Sequence, residues 1–218
     1  MPTPRAVLWD LDNTLIDSGE HHYEAWRQTT ESLGHAMDRG TFAASFGKKN
    51  DTILRELLGV DADAAEIDRI GEEKEVIYRR LLRERGIELL PGAAQWLERL
   101  KGGGWRQALA TSAPRANVDV VLARLGLDGF FDGEAVGEDV VSGKPDPAIF
   151  LEAARRVGAL PADCIVVEDA PGGLLGARRA GMRSIGVLSS HFSALEADLV
   201  VHSLTELPAD AFDRLSRR

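Results

Sequence analysis

Six short apolar runs, each closing on small or polar residues, divide this chain, and they constrain its fold more than any other feature. They cover 6–11, 107–110, 135–136, 164–167, 184–188 and 199–201. Segments of helical periodicity lie between them. Trp96, Leu97 and Leu100 share one face, as do Val118, Val121, Leu122 and Leu125, and Ile149, Phe150, Ala153 and Val157. Strands alternating with helices predict an α/β protein, a parallel sheet with helices on both faces.

The alternation breaks once. From about residue 20 to about 89 no run reads as a strand, and helical segments appear at 22–33, 52–58 and 63 to about 85. In the last of these Ile67, Ile70, Ile77 and Leu81 recur at helical spacing. Pro91-Gly92 then marks the return to alternation. The expected organisation is a core in two pieces, 1–18 and 89–218, carrying an inserted helical unit of 19–88. The triplet Gly102-Gly103-Gly104 precedes a strand and reads as a helix stop and turn, since phosphate-binding loops follow strands.

The net charge of −9 excludes a general nucleic-acid binder, which would present a basic face. An acidic protein that handles an anionic substrate must concentrate positive charge locally, through a metal, a lysine or helix N-termini. The single cysteine, Cys164, sits in an apolar strand, forms no intrachain disulfide and reads as a buried structural thiol. No signal peptide and no membrane-spanning run are visible, so a soluble cytoplasmic protein, monomeric or homodimeric, is expected.

Four of the strand ends carry chemistry. In open parallel sheets ligands bind beyond the carboxyl ends of the strands, so these ends can converge although they are far apart in sequence. The first holds Asp10 and Asp12. One carboxylate can attack phosphorus, and a second two residues on can move protons; the competing reading is a pair of capping aspartates. The second holds Thr111 and Ser112 before a helix start near Pro114, suited to phosphate oxygens or to helix capping alone. The third, Gly143-Lys144-Pro145-Asp146-Pro147, restrains a lysine whose charge can offset a carboxylate and a phosphate. The fourth, Glu168-Asp169, supplies the hard oxygen ligands that Mg2+ prefers, or an N-cap pair for the next helix.

The set, in this order, resembles the haloacid dehalogenase (HAD) superfamily, in the branch that includes β-phosphoglucomutase and many small-molecule phosphatases. Asp10-Leu11-Asp12-Asn13-Thr14-Leu15 matches its first motif, Ala110-Thr111-Ser112 the second, Gly143-Lys144-Pro145-Asp146-Pro147 the third and Val167-Glu168-Asp169-Ala170 the fourth. The resemblance implies a Rossmann-like core with an α-helical cap where the insertion lies. It implies Asp10 as nucleophile and Asp12 as general acid/base, with Thr111 and Lys144 holding the phosphoryl group. It implies Mg2+ held by Asp10, the backbone carbonyl of Asp12, Asp169 and Glu168, the last directly or through water. Asn13 stands where many relatives carry glycine, and asparagine tolerates left-handed backbone.

His22 aligns with a histidine that assists sugar proton transfer in the mutases; otherwise it is a helix-face residue. Lys49 and Arg79 are cap cations within reach of substrate by this comparison. Asn50 stands where the mutase has an arginine for the distal phosphate. Gly172-Gly173-Leu174-Leu175-Gly176 lacks the glycine spacing of a dinucleotide fingerprint and reads as close helix packing. The expected function is hydrolysis of a small phosphate ester such as a sugar phosphate. The alternatives are a sugar phosphomutase, a non-catalytic binder of phosphorylated ligands and a 2-haloacid dehalogenase, the last disfavoured by Asp12 and Glu168-Asp169.

Overall fold

The computed structural model describes residues 4–45, 48–57, 59, 61–189 and 194–216. The strands are β1 (Ala6–Trp9), β2 (Arg106–Ala110), β3 (Gly133–Ala135), β4 (Cys164–Glu168), β5 (Arg183–Val187) and β6 (Leu199–Val201). They form one sheet in the order β3-β2-β1-β4-β5-β6, and every neighbouring pair is parallel. The expected α/β sheet is therefore present, with strand bounds shifted by a residue or two.

Both faces of the central strands are buried, which is why they read as continuous apolar runs. Successive side chains point to opposite faces. Val7, Trp9, Leu109, Ile165 and Val167 enter one core, and Ala6, Leu8, Ala108, Cys164 and Val166 enter the other. Cys164 is 1% exposed and burial pushes its thiol up to about 12, as befits a packing residue.

Among the described residues, four α-helices lie between β1 and the next core element: α1 (Gly19–Ser32), α2 (Arg39–Ala43), α3 (Asn50–Thr52) and α4 (Ala64–Arg85). The helix expected at 52–58 is α3 followed by a π turn, Ile53–Leu57; Leu58 lies outside the described residues. The Asp63 side chain caps α4 by accepting from the Glu66 N–H at 2.9 Å. Trp26, Met37, Phe42, Leu54, Ile67 and Ile70 give these helices an apolar cluster of their own. The chain enters and leaves them along two adjacent passes: Leu90 N–H donates to the Leu15 carbonyl at 2.8 Å, and Asp17 N–H to the Glu88 carbonyl at 3.1 Å.

The remaining helices cover the sheet: α5 (Ala93–Gly102), α6 (Arg115–Leu125), α7 (Ala148–Arg156), α8 (Pro171–Arg179) and α9 (Ala211–Ser216). The glycine triplet ends α5, and Gly104 turns the chain at φ 73° into β2.

Candidate active site

The sheet places Asp10, Thr111 and Asp169 just past the ends of β1, β2 and β4, with Glu168 as the last residue of β4. Asp10 N–H still bonds the Val167 carbonyl at 3.0 Å, and Thr111 N–H the Ala135 carbonyl at 3.1 Å, so their positions are fixed by the ladder. Lys144 arrives from the loop before α7. Its Nζ donates to Asp10 Oδ1 at 2.5 Å and to Glu168 Oε2 at 2.8 Å, with its side chain 1% exposed. Asp10, Glu168 and Asp169 bring carboxylate oxygens within 4.8 Å of one another, all of them buried.

Three buried carboxylates against one ammonium leave an excess of negative charge that a buried site does not tolerate unaided. Burial and the Glu168 carboxylate push Asp10 up to about 7, although Lys144 pulls the other way. Burial opposes the charge on Lys144, yet Asp10 and Glu168 together hold its ammonium above the usual lysine value. The donor set, all oxygen, with its uncompensated charge fits a hard divalent cation.

Asp12 points elsewhere. Ser18 Oγ donates to its Oδ1 at 2.6 Å, His22 Nε2 at 3.0 Å and Tyr78 OH at 3.2 Å. Lys74 Nζ lies 2.9 Å from His22 Nδ1. An ammonium only donates, so His22 Nδ1 accepts and its proton sits on Nε2, facing Asp12. Burial opposes ionisation of Asp12, but the His22 contact, the Ser18 hydroxyl and the Lys74 charge behind them hold it down at about 2. The His22 and Tyr78 rings stack at 4.0 Å between centroids, which fixes the imidazole plane.

Thr111 is 1% exposed, and its hydroxyl accepts from the Ala113 N–H at 3.1 Å while keeping its own proton to donate. Thr111, Ser112, His22, Lys49, Lys144 and the three clustered acids line a single cavity of about 480 Å3 between the strand ends and the inserted helices. That volume suits a small-molecule ligand. Arg79 does not line it: its guanidinium bonds Glu72 at 2.5 Å and Asn117 Oδ1 at 3.0 Å. Lys49 does, but its Nζ reaches across to the carbonyls of Gly137, Val140 and Val141 at 3.3, 3.0 and 3.3 Å.

Sequence reasoning passed over Ser18, Lys74, Glu75 and Tyr78. Lys74 and Glu75 are 2% and 4% exposed. The missed signal was their place on α4: residues 67, 70, 71, 74, 78 and 81 make the buried stripe, so a lysine there is not a solvated one.

Asn13 takes φ 56°, a left-handed backbone, and its carbonyl accepts from the Ser189 hydroxyl. Gly173 serves Glu168. A Cβ on it would lie 2.2 Å from the Glu168 carboxyl carbon, so only glycine lets α8 pass that side chain.

Comparison with known proteins agrees with this geometry. A family model described as haloacid dehalogenase-like hydrolase matches residues 4–181. The chain is 32% identical to a β-phosphoglucomutase of Bacillus subtilis, over 93% of this chain and 91% of that one. It is 33% identical to a phosphorylated carbohydrates phosphatase of Thermotoga maritima, over 85% and 86%. Its structure resembles that of CbbY from Rhodobacter sphaeroides in complex with xylulose-(1,5)bisphosphate, with a TM-score of 0.85 at 28% identity over 94% and 96% of the two chains. With its parallel core, inserted helices and acidic strand ends, this chain belongs to the haloacid dehalogenase-like hydrolases, in the branch that holds the β-phosphoglucomutases and sugar-phosphate phosphatases.

Proposed function

We propose that the chain is a Mg2+-dependent phosphatase that hydrolyses a small phosphorylated metabolite, a sugar phosphate, through an aspartyl-phosphate on Asp10. The observation that carries this reading is the placement of Asp10 at a strand end within 2.5 Å of the Lys144 ammonium and beside Glu168 and Asp169. Asp10, Glu168, Asp169 and the Asp12 carbonyl would hold Mg2+, which supplies charge neutralisation for the phosphoryl oxygens.

Asp10 attacks phosphorus and the bond to the leaving oxygen breaks. Lys144 and the Thr111 and Ser112 hydroxyls hold the phosphoryl oxygens, as preorganised donors. Asp12 gives a proton to the leaving oxygen, then takes one from the water that attacks phosphorus and frees Asp10. All three donors to Asp12 converge on Oδ1, which leaves Oδ2 for the substrate. At about 2, the substrate-free Asp12 is in the state that suits a base. Its acid half requires the arriving phosphate dianion to raise that value, as a neighbouring like charge does. Residues 19–88 act as a cap that keeps bulk water from the first step.

A second reading, phosphoryl transfer between positions of one sugar as in a β-phosphoglucomutase, shares every group named above. The His22 contact to Asp12 at 3.0 Å favours it, because such a histidine can assist proton transfer at a sugar hydroxyl. A phosphate-release screen with Mg2+ over sugar phosphates, phosphoglycolate and nucleotides tests the first reading. Hydrolysis is expected with sugar phosphates, and Asp10→Asn should abolish it. Formation of glucose 6-phosphate from β-glucose 1-phosphate without phosphate release would instead establish the mutase.

A further inference from the structure

The part of the cavity nearest the inserted helices is lined by groups that phosphoryl transfer leaves unused. Chief among them is Glu75, a carboxylate on the buried stripe of α4. It survives burial because donors surround it: Lys74 Nζ at 3.0 Å, Asn50 Nδ2 at 2.7 Å and Asn117 Nδ2 at 2.6 Å. Lys74 in turn reaches His22, which reaches Asp12. Glu75 and Lys74 thus stand three and two links from the proposed proton donor, on the side where a leaving group must lie.

Among the described residues, four lysines and nine acidic residues line the cavity, and no arginine does. Two of the lysines, Lys144 and Lys74, are buried, and Lys49 is half-buried. Lys144 serves Asp10 and Glu168. Lys74 is neutralised by Glu75. Lys49 directs its three donors to three main-chain carbonyls. The fourth, Lys48, pairs with Glu56 at 3.3 Å toward solvent. A second phosphate near Glu75 would therefore meet a carboxylate that already neutralises its neighbouring lysine, Lys74, and like charges repel strongly where water is excluded. Hydroxyls, unlike a phosphate dianion, can donate to the same carboxylate.

We propose that Glu75 sets the substrate class of this site: by neutralising Lys74 it admits monophosphate esters of neutral polyhydroxy compounds and turns away bisphosphates. The assignment rests on the phosphatase reading above.

The test compares kcat/KM for matched pairs, β-glucose 1-phosphate with β-glucose 1,6-bisphosphate and fructose 1-phosphate with fructose 1,6-bisphosphate, in the wild type and in Glu75→Gln. The wild type should favour the monophosphate by about 100-fold. In Glu75→Gln, which frees the Lys74 charge, that preference should fall by about tenfold or more, through a lower KM for the bisphosphate. Equal use of both members by the wild type overturns the assignment and leaves the phosphatase reading standing. An unchanged preference in a variant with wild-type circular dichroism overturns it as well. Release of phosphate from neither member, nor from any ester of the wider screen, refutes the phosphatase reading itself. The wild-type comparison can overturn the assignment even where the variant does not fold.

Discussion

Gly173 and Glu168 show how a residue without chemistry can determine chemistry. Glu168 is held between the Lys144 ammonium at 2.8 Å and the Ala170 N–H at 3.2 Å, and α8 passes directly over it. Replacing Gly173 with alanine puts a methyl group 2.2 Å from the carboxyl carbon and 2.4 Å from Oε2, so Glu168 must swing away. Gly173→Ala should cost about 1–3 kcal/mol of stability. It should also raise the Mg2+ concentration needed for half-maximal activity, read from urea unfolding and a Mg2+ titration. Unchanged values in both would mean that Glu168 is not fixed as described. The glycines of this segment were legible as close packing from sequence, but the side chain they make room for was not, because it precedes them on the strand.

Among the elements, α4 carries the largest gap between sequence and structure. Ile67, Ile70, Ile77 and Leu81 suggest one apolar face, yet Ile77 is only half-buried, and Tyr78 with Lys74 occupies the stripe. The polar ends of β1, β2 and β4 were legible because each interrupts a continuous apolar run, whereas Lys144 sits on a loop well past β3 rather than at the strand end expected. Lys74 was not legible, because lysine is solvated by default and its partner His22 lies 52 residues away. The helix also binds the inserted unit to the core through one amide. Asn117 on α6 donates to Glu75 Oε2 at 2.6 Å and accepts from Arg79 Nη1 at 3.0 Å. Asn117→Leu keeps the volume but removes the partner of Glu75 Oε2 and of Arg79 Nη1, so it should destabilise the protein by about 1–3 kcal/mol in urea unfolding. A neutral result would show that this tie between insertion and core contributes nothing. The short helices α2 and α9 were missed because their few turns give too little periodicity to read.

At the scale of the molecule, an acidic chain gathers three carboxylates at one buried site and offsets them only in part with one lysine. Among the described residues no helix is long and apolar enough to cross a membrane. In the metal-free protein Asp10 sits at about 7, above an ordinary carboxylate. A carboxyl group raised on folding favours the folded state at low pH, and that contribution is lost as pH rises from its unfolded value near 3.8 through about 7. Mg2+ should restore it. At about 100 times its dissociation constant the ion should add about 2.7 kcal/mol, or about 5–10 °C in Tm, with a larger gain at pH 8 than at pH 5. A Tm indifferent to Mg2+ at pH 8 would contradict the metal assignment.

The central claim is that phosphorus passes through Asp10. An acyl phosphate can be caught by acid-quenching the enzyme during turnover of its best ester and reducing with borohydride, which converts the phosphorylated aspartate to homoserine. Mass spectrometry of the peptide spanning Asp10 should then find homoserine at position 10, dependent on substrate and on Mg2+ and absent in Asp10→Asn. Homoserine at another carboxylate, or steady turnover with none at position 10, would contradict the account.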